Sequence, residues 1–161
     1  MWDARLVEAG NEYVDGRPHR ALSALVRRYT GYREFSVGPL RRRQVPSGTV
    51  TLIFSLGPPI RLVGPAGPTV PRSFLAGMHD AAVITEFTGD QHGLQVDLTP
   101  LGTYAVLGQP MSELTNRTPR LDELSVPALA GLADRLAELP TWPQRFAMVD
   151  AALLAALDSS R

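Results

Sequence analysis

Ala82-Val83-Ile84-Thr85-Glu86-Phe87 and His92-Gly93-Leu94-Gln95-Val96-Asp97-Leu98 are the two stretches on which the reading of this chain turns. In the second, Leu94, Val96 and Leu98 share one face while Gln95 and Asp97 share the other, the alternation of a strand with one buried side. The link Thr88-Gly89-Asp90-Gln91 contains Gly and Asp, which tolerate positive φ, so the two stretches are predicted to form a hairpin. Working outward, Val50, Leu52, Phe54 and Leu56 lie on one face of a run entered through Pro46-Ser47-Gly48 and stopped by Gly57-Pro58-Pro59. Val26 to Phe35 reads as an earlier strand anchored by Tyr29 and Tyr32, and Ile60 to Val63 as a short partner strand. Gly64 to Pro71 holds too much proline for a central strand and reads as a loop or exposed edge.

Helices follow. Thr99-Pro100 is an N-cap with proline at the first helical position, where its missing N–H costs nothing, and Gly108 is placed to end that helix. Met111 to Leu114 reads as a short turn. A longer helix is expected from about Ser125, with Leu129, Leu132, Leu136 and Leu139 at steps of three and four and Pro140 as its stop. Thr141-Trp142-Pro143-Gln144 has the form of a capping box, opening a last helix with the apolar stripe Phe146, Val149, Leu153 and Leu157. Strands about 22–98 followed by helices 99–158 make the fold class α+β.

The chain has 161 residues, enough for one compact domain with its own core. It has no cysteine, which excludes disulfides and thiolate metal sites. All 16 cationic side chains are arginine, balanced by 16 acidic ones. The balance is uneven: residues 1–80 hold 11 Arg and 6 acids, residues 81–161 hold 5 Arg and 10 acids. Such a sequence favours contact between its own halves or with an oppositely charged neighbour. Arg41-Arg42-Arg43 is the sharpest cluster; on strands such arginines face solvent or pair with the acidic half more readily than they dock on phosphates. No apolar run is long enough to span a bilayer, and Met1-Trp2-Asp3-Ala4-Arg5 lacks the order of a secretory leader, so a cytoplasmic protein is expected. On that ground the sequon Asn116-Arg117-Thr118 carries no meaning.

The search for chemistry returns little. His19, His79 and His92 have no pair spacing that would bring two imidazoles to one metal, and no nucleophile elbow, phosphate loop or dinucleotide fingerprint is present. His79-Asp80 with Asp97 is a candidate ligand pair, and Glu86 with Asp97 across the predicted hairpin a candidate carboxylate pair for acid–base work; they read more simply as a loop histidine bonded to its neighbour and a solvated or salt-bridged sheet face. No cofactor is called for, and the last two helices are too acidic for a DNA groove: from Leu121 to Arg161 they carry 3 Arg and 6 acids.

Several segments together resemble one family. Tyr29-Thr30-Gly31-Tyr32-Arg33-Glu34, the run Val45 to Pro59, Phe74-Leu75-Ala76-Gly77-Met78-His79-Asp80, Gly93 to Gly102, and Leu107 to Arg117 are similar, in order and spacing, to the N-terminal region of AraC-type transcriptional regulators of the actinobacterial kind. The likeness runs from about Leu22 to Leu157. It implies a sensory and dimerising domain built as a cupin-like small antiparallel β-barrel or sandwich followed by helices. It also implies a helix-turn-helix DNA-binding domain, absent here, through which alone DNA would be contacted. The sequence departs from metal-binding cupins in lacking their glycine–histidine pattern, so no metal site is expected.

The resulting expectation is a single regulatory domain that senses an unknown small-molecule effector and forms a homodimer. Tyr29, Tyr32, Phe54, Phe74 and His79 are the candidate pocket residues, offering aromatic walls and a polar handle. Phe146, Val149, Leu153 and Leu157 are the candidate dimer stripe. The alternative is a small cupin-like enzyme or isomerase working through His79, Asp97 and His92, which requires those side chains to converge at one cavity.

Overall fold

The computed structural model describes residues 10–160; the N-terminal stretch read above for a leader and the final Arg161 lie outside the described residues. Seven strands are found among them: β1 (Glu12–Gly16), β2 (Val26–Gln44), β3 (Val50–Ser55), β4 (Arg61–Gly64), β5 (Gly67–Thr69), β6 (Ser73–Ala76) and β7 (Val83–Leu98). The α-helices are α1 (Pro100–Leu107), α2 (Leu132–Glu138) and α3 (Trp142–Ser159). The class is α+β, as the order of periodicities predicts.

The predicted hairpin at Thr88–Gln91 is a correction. Residues 83–98 form one unbroken strand, because β2 is longer still and pairs antiparallel along nearly its whole length. Gly89 does take positive φ, at 76°, but it serves a bend rather than a reversal. Opposite it, the register slips between Ser36 and Leu40, so extra residues on β2 face a single residue on β7. Such a bulge kinks both strands and sharpens their twist. Beyond the kink β7 trades neighbours: residues 93–98 pair with β3, whereas residues 84–86 pair with β4. The sheet, ordered β1-β2-β7-β3-β6 with β4 and β5 attached to the first half of β7, thus folds over on itself. Apolar residues from both halves meet inside: Ile53, Ile60, Leu62, Phe74, Ala76 and Phe87.

The outer face carries the larger core. Val50, Leu52 and Phe54 from β3, Leu94, Val96 and Leu98 from β7, and Tyr29 from β2 are covered by Leu22, Val106, Leu132, Leu136, Phe146, Val149 and Leu153. Thr99 caps α1 by accepting from the Gly102 amide, and Gly108 ends it at φ 67°. The long helix expected from Ser125 is broken: Pro127–Leu129 form a 3-10 turn, Gly131 turns left-handed at φ 65°, and α2 starts only afterwards. At α3 the Thr141 hydroxyl accepts from the Gln144 amide, while the Gln144 side chain bonds that hydroxyl rather than the backbone, so half of the capping box forms. Among the described residues no helix is long and apolar enough to cross a membrane.

The stripe read as a dimer surface faces inward. Phe146, Val149 and Leu153 are buried in the chain's own core and Leu157 packs against it, because the outer face of the sheet needs that cover.

Candidate functional site

Strand alternation sorts the sheet into two chemistries. On the outer face of β7 lie Leu94, Val96 and Leu98; on the inner face lie Gln91, Gly93, Gln95 and Asp97, paired in register with Glu34, Tyr32, Thr30 and Arg28 of β2. Glu34, Gln91, Gln95, Thr30, Thr51 and Asp97 are all buried. One end of the interior is therefore polar and the other apolar.

Glu34, only 1% exposed, anchors the polar end. It accepts a two-pronged hydrogen bond from Arg42, Nη1 to Oε1 at 3.0 Å and Nη2 to Oε2, a geometry that only a planar guanidinium offers. Arg42 comes from the far side of the bulge, so this pair ties the two halves of the bent sheet together. Its guanidinium also lies over the Phe87 ring, 5.7 Å from the centroid. Burial alone pulls Arg42 downward, and the Glu34 carboxylate more than offsets that, raising its pKa. Tyr13 on β1 hydrogen-bonds into the same pair, and its pKa is raised by burial and then by the Glu34 charge. Tyr32, raised by burial first and Glu34 second, reaches across Gly93: a Cβ there would sit 2.4 Å from its hydroxyl. Asp97 is held by three donors, Arg28 Nε at 2.9 Å, Gln95 Nε2 at 2.8 Å and Thr51 Oγ1 at 3.2 Å. Against this well-paired background stands Gln91, 3% exposed, whose Oε1 has no hydrogen-bond partner. Leaving a buried acceptor unpaired costs about 1–3 kcal/mol.

At the apolar end, Ile53, Leu62, Phe74, Ala76 and Val83 line a small, partly open cavity of about 30 Å³, together with Gln44, Ser47, His79, Thr85 and Thr118. That is room for about one water molecule, with Val45 and Pro46 also in its wall. His79 donates from Nδ1 to the Gly77 carbonyl at 2.8 Å, which leaves Nε2 as acceptor for the Thr118 hydroxyl at 3.4 Å.

The candidate residues thus divide. Phe74 and His79 line the apolar space and Tyr32 lies in the polar end, but Tyr29 and Phe54 do not reach the interior. Those two point to the helix side, where the Tyr29 ring stacks on Phe146 at 5.7 Å and its hydroxyl donates to Asp150 at 2.7 Å. His79, Asp97 and His92 keep separate partners. His92 lies on the outer face, edge-on to Trp142 at 5.5 Å and 3.4 Å from Arg145 Nη1. Glu86 and Asp97 sit at opposite ends of one strand; Glu86 pairs with Arg41 and Arg61 and is no partner of Asp97. Among the described residues no three His, Asp or Glu side chains gather as metal ligands. Reading along β2 from Phe35 to Gln44 with the same alternation would have turned Arg42 inward between two outward arginines; stopping that strand at Phe35 hid it.

A family model described as a domain of unknown function (DUF6597) matches residues 15–120. The chain belongs to that family. The matched part of this DUF6597 protein holds the end of β1, all of β2 to β7, and α1, and so contains most of the polar and apolar interior just described. No curated protein matches the sequence. Among solved structures, a cupin domain from Bordetella pertussis Tohama I covers 56% of this chain and 94% of its own length at 10% identity, with a TM-score of 0.40, a likeness too weak to transfer anything to the DUF6597 protein.

Proposed function

We propose that this DUF6597 protein is the regulatory domain of an AraC-type transcriptional regulator, sensing a small molecule inside the folded sheet. The observation that carries the reading is the buried polar cluster of Glu34, Arg42, Tyr13, Tyr32 and Gln91. Stability alone favours an apolar filling at such positions, since replacing buried ion pairs by apolar groups is commonly neutral or stabilising. A polar interior with an unpaired acceptor is what a recognition surface needs. The similarity of its segments, in order, to AraC-type N-terminal regions supports the same reading.

The effector acts by favouring one conformation over another, and the bend at Gly89 and Ser36–Leu40 is the joint at which the two halves of the sheet move. Self-association of two copies belongs to this reading and uses surfaces other than the inward stripe of α3. The test is a thermal melt against a metabolite panel. A ligand at 100 times its Kd adds about 2.7 kcal/mol, which reads as a clear rise in melting temperature. A panel without any shift, or a longer reading frame lacking helix-turn-helix units after residue 161, would count against the assignment.

A further inference from the structure

We infer that the groove between the β5–β6 link and the start of α2 binds a zwitterion with a bulky apolar body, an amino acid of the phenylalanine kind, whose carboxylate is received by Arg72 and whose ammonium is received by Asp134. This groove shares no lining residue with the small cavity at the apolar end of the sheet, so the inference goes beyond the sensing role proposed above and does not depend on it.

The groove has the room that the one-water cavity lacks. It measures about 560 Å³, inside the range of about 300–1,000 Å³ that small-molecule sites occupy. Residues 70–73, the 3-10 turn that begins at Leu121, and residues 129–134 at the start of α2 form its walls. Leu121, Leu124, Leu129 and Leu132 line it from the core, all of them buried, and Val70 adds an exposed apolar side chain beside Arg72. Contact of a hydrocarbon body with these leucines supplies affinity; the charges supply the choice of guest. Four charged side chains line the groove, and two of them are spent on each other. Arg120 Nε holds Asp122 at 3.1 Å, with Glu123 at 3.6 Å. Arg72 and Asp134 are exposed, and among the described residues neither makes an ion pair or a side-chain hydrogen bond. One uncommitted cation and one uncommitted anion complement a guest carrying both signs; a plain anion leaves Asp134 unanswered, and a plain cation leaves Arg72 so. Ser73 follows Arg72 in the same wall. Its Oγ accepts from the Ser55 amide at 3.1 Å and donates to no described residue, which leaves a proton for the carboxylate.

Three probes with one body test this: phenylalanine, N-acetylphenylalanine, which lacks the ammonium, and phenylalaninamide, which lacks the carboxylate. They are titrated at about pH 6, below the range of α-amino groups, into the isotope-labelled full chain while the backbone amide signals of residues 72–73 and 129–134 are followed by NMR. Phenylalanine is expected to move these signals at about millimolar affinity. Each of the other two should bind about fivefold more weakly, the worth of one exposed charge contact. Arg72→Gln should weaken phenylalanine about fivefold and leave phenylalaninamide unchanged. Asp134→Asn should weaken phenylalanine equally and leave N-acetylphenylalanine unchanged. Asp134 also stands in the first turn of α2, where its charge favours the helix, so that variant is expected to melt slightly lower and the pattern of probes is the readout. If a variant does not fold, the ranking of the three probes on the wild-type chain decides alone. Equal affinity for all three, or affinities that neither substitution alters, would overturn the zwitterion. Shifts confined to residues 44–47 and 83–85 would put the guest in the sheet interior and overturn the groove as its site. Silence of the groove signals would do the same and leave the sensing role of the interior standing.

Discussion

Glu34 and Arg42 exchange two charge-assisted hydrogen bonds in a place where one partner without the other is costly. Breaking a buried pair leaves an uncompensated charge worth about 3–5 kcal/mol. Because the Arg42 side chain keeps 26% of its exposure, the loss on Glu34→Gln is discounted to about 2–3 kcal/mol, seen as a lower melting temperature. Glu34→Gln combined with Arg42→Met should recover much of it, and a double-mutant cycle in guanidinium chloride checks the coupling. His92 carries a second prediction. Burial, then Arg145, then Arg33 lower its pKa below the ordinary 6.5, with Glu12 opposing. The folded chain thus prefers neutral imidazole, which alone can accept from Arg145. Above pH 6.5 neither the folded nor the unfolded chain protonates this ring and its contribution is whole; as pH falls from 6.5 toward the lower folded value, the unfolded chain takes up the proton first and stability is lost. His92→Gln should flatten this part of the melting-temperature profile between about pH 7.5 and 5, measured against wild type. An unchanged slope would show that the ring does not sense Arg145.

At the scale of elements, α3 is seated on the sheet through aromatic rings lying over glycines. Trp142 donates from Nε1 to Glu12 at 3.0 Å, its ring carries the Arg145 guanidinium at 4.5 Å, and it stacks on Phe146. A Cβ on Gly31 would lie 2.4 Å from the Trp142 ring, and one on Gly16 would lie 2.6 Å from Phe146. Gly31→Ala should therefore cost about 1–3 kcal/mol by overpacking and shift tryptophan fluorescence as α3 lifts; no change in either would mean that the ring moves freely. The same glycine logic shows why one element was legible and another was not. α1 was readable end to end because its signals, Thr99, Pro100 and Gly108, are local. Gly89 offered the same local signal, a positive φ, yet its outcome depends on β2, forty to sixty residues away in sequence. Local chemistry identifies a residue that can turn; only the distant partner decides between a turn and a bulge. Gly131 broke a helix whose leucine spacing ran straight through it, for the reverse reason: periodicity marks the buried face and is blind to backbone continuity.

For the whole molecule, the opposed charges of the two halves of the sequence cancel within the fold. Arg28 meets Asp97, and Arg41 and Arg61 meet Glu86, so part of the basic first half is spent on the acidic second half before any polyanion could use it. That much the composition foretold. The interior was less legible: the aromatic residues drew attention, and two of them, Tyr29 and Phe54, serve the helix-side core, whereas the polar residues Glu34, Arg42 and Gln91 become conspicuous only when two halves of a bent sheet face each other. The helix-side core also sets a test of what the family boundary means. The family match ends at residue 120, before α2 and α3. Yet Leu132, Leu136, Phe146, Val149 and Leu153 from those helices are what shields Leu52, Phe54, Leu94 and Val96 from water. A fragment of residues 15–120 would expose that apolar face, and losing even one such leucine costs about 2–5 kcal/mol against a total stability of about 5–15 kcal/mol. The fragment is expected to bind a hydrophobic dye and to melt without a cooperative transition, while the full chain melts in one step. A cooperative melt of the fragment would mean that the interior between the two halves of the sheet is sufficient to hold the fold, and that α2 and α3 are attached to a domain complete without them.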